Sequence, residues 1–367
     1  MKKVIISGGG TGGHIFPAIS IADAIMKRCP DAGILFVGAE NRMEMERVPA
    51  AGYEIVGLPV VGFDRKNPIN NFKVALNLLK SIKKARRIIN GFKPDIAIGV
   101  GGYASGPVLF TASYQGVTTL IQEQNSYAGL TNKMLAKRAS TICVAYEGMD
   151  KFFPKEKIVL TGNPCRLDLA ITEESRIKGY IHFNLDPLKK TILMVGGSLG
   201  AGTLNKSIVA SLSILSENKD VQVIWQCGKY YYDDMMKLKN DGKIPDNVHL
   251  IDFISHMNYA YSVADLIISR AGAGSISEFC ILEKAVVLVP SPNVAEDHQT
   301  KNAMALVEKD AAVMVSDAEA PVLLFDVSLD LINDNKRLSI LKKNISKLAQ
   351  LNSDERIVDE IEKLIKN

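Results

Sequence analysis

Short β-branched runs recur along the chain and alternate with amphipathic stretches. In the first part they fall at Val4–Ile6, Ile34–Val37, Ile96–Val100, Thr118–Ile121 and Thr141–Val144. Strands separated by helix-length amphipathic segments predict a parallel sheet covered by helices. After a polar stretch the pattern restarts, with Thr191–Val195, Val221–Trp225, Val248–Ile251, Leu266–Ser269, Val286–Val289 and Ala312–Val315 reading as a second set of strands. The expected fold class is therefore α/β, with two Rossmann-like halves in series. Asn163-Pro164 marks the break, because proline disfavours helix at the residue before it. This sets domains at 1–163 and 164–346, and residues 335–367, rich in Lys, Leu, Ile and Glu at helical spacing, are expected to form two helices.

A chain of 367 residues is long for one core and comfortable for two, since single cores stop growing at about 250–300 residues. Hydrophobic residues at 47% and charged residues at 23% exclude a disordered or fibrous protein. The net charge of +4 is too small to argue for a nucleic-acid partner. Cys29, Cys143, Cys165, Cys227 and Cys280 form no CxxC pair and read as reduced structural thiols of a cytosolic protein. The opening MKKVIIS runs into glycines instead of a long apolar region, and no window offers about 18 consecutive apolar residues. Secretion and a spanning helix are not expected, so any membrane contact is peripheral.

Three glycine-rich turns follow strands. VIISGGGTGGHIFPA places Gly8, Gly10 and Gly13 in a GxGxxG spacing before a helix. Glycine there lets the backbone approach a diphosphate, and the helix start offers free N–H groups. The bare alternative is a tight βα turn with no ligand. ILMVGGSLGAGTLN repeats the device with Gly196, Gly197, Gly200 and Gly202, and IGVGGYASGP carries Gly99, Gly101, Gly102 and Gly106. All three lie where open α/β sheets bind ligands, at the carboxyl ends of strands. A dinucleotide dehydrogenase would place an acidic residue at the end of the second strand, and Glu40 comes late for that role.

The stretch SRAGAGSISE, Ser269–Glu278, is followed by VVLVPSP and by EDHQTKNA, Glu296–Ala303. With GGGTGGH, GGYASGP, EQNSYAGLTNK, TGNPCR and GGSLGAG in that order, the chain resembles the MurG family of peptidoglycan-precursor N-acetylglucosaminyltransferases from Val4 to about Ala303. The resemblance implies a GT-B fold, two Rossmann-like domains facing across a cleft, with the C-terminal helix at about 347–367 crossing back to the first. It implies inverting transfer of N-acetylglucosamine from UDP-N-acetylglucosamine to the C4 hydroxyl of lipid I, giving lipid II. The second domain would hold the donor, and the first would meet the acceptor at the cytoplasmic face of the membrane.

Carried over by motif, the implied donor contacts are Thr11, Gly12, Gly13, Asn125, Arg166, Ser198, Ile254, Ala273, Gly274, Ser275, Glu278, His298 and Gln299. Glu278 at a helix start can accept hydrogen bonds from a ribose diol, or merely complement the helix dipole. Arg166 would neutralise diphosphate charge or stand as a surface arginine, and Gln299 offers both ends of its amide to sugar hydroxyls. Ser198 and Ser275 would hold the diphosphate. His14, at the start of the helix after the first glycine turn, is the candidate general base, the other reading being that it orders the loop. Tyr103 and Ser105 would touch the acceptor pyrophosphate, with Tyr103 equally able to pack. His182, His249 and His256 read as structural or exposed. No DxD-like or Asp/His cluster suggests a metal site, so neither a cofactor nor a protein-ligated metal is expected.

Two positions depart from the family pattern. His298 stands where glutamine is frequent, and Gln122 in IQEQN stands where histidine is usual, which removes a titratable group there. The segment FKVALNLLKSIKKARR, Phe72–Arg87, predicts an amphipathic helix with Phe72, Ala75, Leu76, Leu79 and Ile82 on one face, broadened by Val74 and Leu78. Lys73, Lys80, Lys83, Lys84, Arg86 and Arg87, with Arg65 and Lys66 upstream, flank it and suit an anionic membrane surface; the alternative is a Rossmann helix with a solvated basic face. Two other functions share these motifs: a GT-B transferase with another lipid acceptor such as diacylglycerol, and a UDP-sugar-binding protein without catalysis.

Overall fold

The computed structural model describes residues 2–60, 71–165, 170–197 and 199–366. The chain divides into two compact units, residues 1–165 with 350–367, and residues 166–349.

The first unit is built on β1 (Lys3–Ser7), β2 (Gly33–Ala39), β3 (Glu54–Leu58), β4 (Ile96–Gly99), β5 (Thr118–Glu123), β6 (Thr141–Val144) and β7 (Ile158–Leu160). They form one parallel sheet in the order β3-β2-β1-β4-β5-β6-β7. The crossovers are α1 (Gly12–Arg28), α2 (Glu44–Ala50), α3 (Asn71–Phe92), α4 (Ser105–Tyr114) and α5 (Leu130–Leu135). The central strands are buried on both faces, as continuous apolar runs require. Val4 and Ile6 point into a core with Ile15, Ile21 and Ile25 of α1, while Ile5 points to the opposite core with Ala85 and Ile89 of α3 and Val108 and Leu109 of α4.

The second unit repeats the plan. Its helices are α6 (Glu173–His182), α7 (Gly202–Ala210), α8 (Leu212–Glu217), α9 (Tyr232–Asn240), α10 (Met257–Val263), α11 (Ala273–Ile281), α12 (His298–Val307), α13 (Ala320–Asn333) and α14 (Asn335–Ser346). Its strands are β8 (Lys190–Val195), β9 (Val221–Gln226), β10 (Val248–Ile251), β11 (Leu266–Ser269), β12 (Ala285–Leu288) and β13 (Val313–Met314), parallel in the order β10-β9-β8-β11-β12-β13. Trp225 lies at the centre of this core and donates its indole N–H to Asn205 Oδ1 at 2.9 Å.

The last helix, α15 (Ser353–Lys366), returns to the first unit and packs on α1 through Ile357, Val358 and Ile361. Arg28 pairs with Asp359, and Lys27 with Glu355 at 3.1 Å. Arg356 donates to the Leu160 carbonyl and to Gln350 Oε1. In each sheet the chain order reverses between the two central strands, β1/β4 and β8/β11, which opens a crevice beyond their carboxyl ends. Among the described residues no helix is long and apolar enough to cross a membrane.

Candidate functional site

At the carboxyl ends of β1 and β4, two glycine turns lock together. Gly9 and Gly10 lead into α1, and Gly101 and Gly102 lead into α4, with φ of 95° and 82° at the latter pair. A Cβ on Gly102 would lie 2.4 Å from the Gly9 carbonyl oxygen, and one on Gly101 would lie 2.8 Å from His14 Nε2. Only glycine permits this approach. The His14 ring is thus wedged between both turns. Its Nδ1 stands 3.1 Å from the Gly9 carbonyl oxygen and 3.3 Å from Thr11 Oγ1. A carbonyl only accepts, so Nδ1 carries the proton and Nε2 is the basic nitrogen.

Thr11 precedes α1 in extended conformation without a side-chain cap, and the first turn, containing Gly12 and Gly13, holds no acidic residue. Tyr103 is 56% exposed beside this turn. Ser105, expected to touch an acceptor, is instead buried and donates its hydroxyl to the Gly102 carbonyl at 3.0 Å; it shapes the turn. Asn125 is held by Glu123, whose buried carboxylate accepts from the Asn125 backbone N–H at 3.0 Å, from its side-chain amide at 3.2 Å, from the Gly129 N–H and from Asn132.

Gln122 is fully buried. Its amide donates to Asn163 Oδ1 at 3.0 Å and its Oε1 accepts from Gln124, which in turn donates to the Val100 carbonyl at 2.8 Å. A neutral amide thus fills this position with both of its ends engaged. Periodicity and motif reading missed Glu44, which is 1% exposed beneath the first glycine turn. Its carboxylate accepts from the Gly10 N–H and the Ala39 N–H, each at 2.9 Å. The only local signal is an extra glycine, Gly38, where a Cβ would meet Glu44 Cγ at 2.6 Å.

In the second unit, Gln226 fastens the glycine turn after β8. Its Oε1 accepts from the Gly196 N–H at 3.1 Å and its Nε2 donates to the Gly197 carbonyl at 2.9 Å. Gly200 and Gly228 abut so closely that a Cβ on Gly228 would lie 2.2 Å from the Gly200 nitrogen. Both α7 and α11 start without a side-chain cap and without an acidic residue in the first turn. Their leading N–H groups, including those of Ala273, Gly274 and Ser275 in α11, form an anion-attracting end.

Glu278 lies in the second turn of α11 rather than at its start. That position is too deep for a simple dipole-complementing carboxylate, because such an effect is confined to the first turn. It is 8% exposed, and its Oε2 accepts the Tyr261 hydroxyl proton at 2.7 Å. Arg270, just before the α11 turn, donates to the Val289 and Pro290 carbonyls and pairs with Asp317. Gln299 does not offer both ends of its amide, since Oε1 accepts from the Ser291 N–H at 2.8 Å; its –NH2 group is the end available to a sugar. His298 opens α12 after two left-handed residues, Glu296 and Asp297, with φ of 55° and 52°. Such backbone strain gathers at functional loops. Ile254 is buried just beyond β10. Arg166 and Ser198 lie outside the described residues, as do Arg65 and Lys66 and the side chains of Phe72, Lys73 and Ala75.

The buried residues of α3 are Val74, Ser81, Ala85 and Ile89, of which Ala85 and Ile89 join the core against the sheet; Val74, expected to broaden the lipid-facing surface, is buried instead. Leu76, Leu78 and Leu79 are exposed, the last to 64%. Helix α4, packed between α3 and α5, adds exposed Phe110 and Tyr114, and α5 adds Leu130 and Met134. Arg138 lies 3.8 Å over the Tyr114 ring. Lys84 pairs with Glu40 at 2.8 Å, whereas Lys80 and Lys83 are exposed.

Residues 4–144 match the glycosyltransferase family 28 N-terminal domain and residues 191–361 match the glycosyltransferase family 28 C-terminal domain. A protein of Parabacteroides distasonis named UDP-N-acetylglucosamine–N-acetylmuramyl-(pentapeptide) pyrophosphoryl-undecaprenol N-acetylglucosamine transferase is 63% identical over 364 residues, covering 99% of this chain and 98% of that one. A Porphyromonas gingivalis protein of the same name is 54% identical over 367 residues, covering 100% and 96%. The crystal structure of Acinetobacter baumannii MurG superposes with a TM-score of 0.79 at 30% identity, covering 99% of this chain and 100% of that one.

Proposed function

The chain belongs to the MurG family within glycosyltransferase family 28, and on that premise we propose how it moves N-acetylglucosamine from UDP-N-acetylglucosamine to the C4 hydroxyl of lipid I, forming lipid II with inversion at the anomeric carbon. The observation that carries the reading is the α11 turn: an uncapped, acid-free helix start followed one turn later by a buried carboxylate held by Tyr261. That pairing suits a nucleoside diphosphate, with phosphates at the helix start and the ribose diol at Glu278. The Gln299 –NH2 group and the strained Glu296–His298 corner are assigned to reading the sugar.

His14 Nε2 takes the proton of the C4 hydroxyl as its oxygen attacks the anomeric carbon. The bond from that carbon to the diphosphate oxygen breaks on the opposite side. The negative charge that develops on UDP is stabilised by the N–H groups leading α7 and α11 and by Arg166 and Ser198. Tyr103 and the N–H groups of Thr11, Gly12 and Gly13 stand on the first unit beside His14, so they are assigned to the region where acceptor and transferred sugar meet. The exposed apolar side chains of α3, α4 and α5, rimmed by Lys80, Lys83 and Arg138, are assigned to the cytoplasmic leaflet, where anionic headgroups and the buried lipid of the acceptor would meet them.

Transfer of radiolabelled sugar from UDP-N-acetylglucosamine and from UDP-glucose to a short-chain lipid I analogue and to diacylglycerol tests donor, acceptor and activity together. Label in the lipid I analogue from the first donor alone is the expected result. Label in diacylglycerol would move the acceptor assignment, and no label in either would reduce the protein to a UDP-sugar binder.

A further inference from the structure

We infer that Glu44 is a positioning residue for His14: it clamps the peptide plane between Gly9 and Gly10 and so fixes which imidazole nitrogen is basic. The inference rests on the reading of His14 as the base, yet its geometry stands apart from that reading. Glu44 Oε2 accepts from the Gly10 N–H at 2.9 Å, and His14 Nδ1 meets the Gly9 carbonyl at 3.1 Å. That N–H and that carbonyl belong to one rigid trans peptide and point in opposite directions. The carboxylate and the imidazole therefore grip opposite ends of a single plane.

The grip matters because the plane lies between two glycines, neither of which has a side chain of its own to resist rotation by half a turn. Rotated, the peptide would present its N–H to His14. Nδ1 would then have to accept, the proton would sit on Nε2, and the nitrogen proposed to take the acceptor proton would already carry one. Glu44 opposes this because rotation would remove a donor from a buried carboxylate. The site is built for it: a Cβ on Gly9 would come 2.1 Å from Glu44 Oε1, and the second oxygen is anchored by the Ala39 N–H at the end of β2. In a nucleotide-binding turn such an amide would go to a ligand phosphate. Here the anion is part of the protein.

The test is the tautomer of His14, read from nitrogen chemical shifts in histidine-labelled full-length protein, with His14→Ala assigning the signal. The wild type should carry the proton on Nδ1, and Glu44→Gln, which keeps one acceptor and adds donors, should move a substantial fraction to Nε2. Transfer turnover in Glu44→Gln should fall by about 100-fold, the range of a lost acid–base contribution, with UDP affinity changed by less than about threefold. In a His14→Ala background the same substitution should cost less than about threefold, because coupled residues are not additive. An unchanged tautomer in Glu44→Gln, or losses that multiply, overturns the inference. If His14→Ala transfers sugar at the wild-type rate while the tautomer still shifts in Glu44→Gln, the base reading falls and the positioning stands. Should Glu44→Gln fail to fold, Glu44→Asp, shortened by one methylene, takes its place: a shifted tautomer supports the clamp and an unchanged one overturns it.

Discussion

Glu278→Ala is expected to weaken UDP binding by about 10- to 150-fold, the equivalent of one charge-assisted hydrogen bond at about 1.5–3 kcal/mol. The carboxylate is nearly buried and its Oε2 already holds the Tyr261 hydroxyl, so little solvent competes with a ribose hydroxyl for it. Calorimetry should give a wild-type protein that binds UDP more tightly than 2′-deoxy-UDP, and a Glu278→Ala protein that binds the two alike. Tyr261→Phe leaves the charge but releases its orientation, so it should fall between the two. Glu278→Gln, a neutral acceptor, should lose more than Tyr261→Phe if charge dominates. A Glu278→Ala protein that still discriminates against 2′-deoxy-UDP would refute the ribose assignment, because the discriminating group would then lie elsewhere.

His14→Ala should lower turnover by about 100-fold or more while leaving UDP affinity within about threefold; equal losses in both would count against the base. Lys284 is buried, donates to the Ala264 carbonyl at 2.9 Å, and is brought by burial, and less by Lys342, from its ordinary 10.5 to about 8. Because the unfolded chain then binds more protons between about pH 8 and 10.5, stability should rise with pH across that window and lie flat below it. At about 1.36 kcal/mol per pH unit the gain is bounded at about 3 kcal/mol, and in urea titrations the stability of wild type relative to Lys284→Met should change with pH only across that window and stay constant on either side of it. Reversal of Lys80, Lys83 and Arg87 to glutamate should weaken binding to phosphatidylglycerol vesicles by about 100-fold or more, at about 1 kcal/mol per basic residue, and spare transfer to a water-soluble acceptor analogue. Undiminished vesicle binding at moderate salt would place the membrane contact on another face.

The central strands were legible because burial on both faces makes them continuous apolar runs. Five of the seven strands of the first sheet and all six of the second appear where those runs fall. The exceptions, β3 and β7, are the two edges: β3 carries Glu54 and Gly57, and β7 has only three residues, so neither stands out by hydrophobicity. Helix α3 was legible as a helix with an outward apolar face at Leu76, Leu78 and Leu79, and Val74 departs from that face by being buried. Its sequence carries two apolar stripes, and Ala85 and Ile89, small or branched, pack in the core against the sheet while the leucines face out. The same limit applies to polar partners. Gln299 gives one end of its amide to Ser291, and Ser105 gives its hydroxyl to Gly102; which atoms a local loop consumes depends on its geometry. Glu44 was invisible because its two amide partners, one at the end of β2 and one in the turn after β1, are brought together by the parallel pairing of those strands.

Glycine spacing makes the two halves look equivalent, yet the turns they form are chemically unlike. After β1 the Gly10 N–H is taken by a carboxylate, Glu44; after β8 the corresponding amide region is fastened by the neutral amide of Gln226. A negative charge under the first turn disfavours a second, doubly charged group close by, whereas the turn after β8 is fastened by a neutral amide. On the proposed reading, this contrast favours the second unit for a nucleoside diphosphate and leaves the first turn to hold the His14 imidazole. On this view Gly9 of GGGTGGH serves two ends: it makes room for the Glu44 carboxylate, and its carbonyl is approached by Gly102 of the neighbouring turn. Duplicated topology thus gives each unit a glycine turn before an uncapped helix start, and the side chain that fastens the turn, Glu44 in one and Gln226 in the other, differs in charge between them.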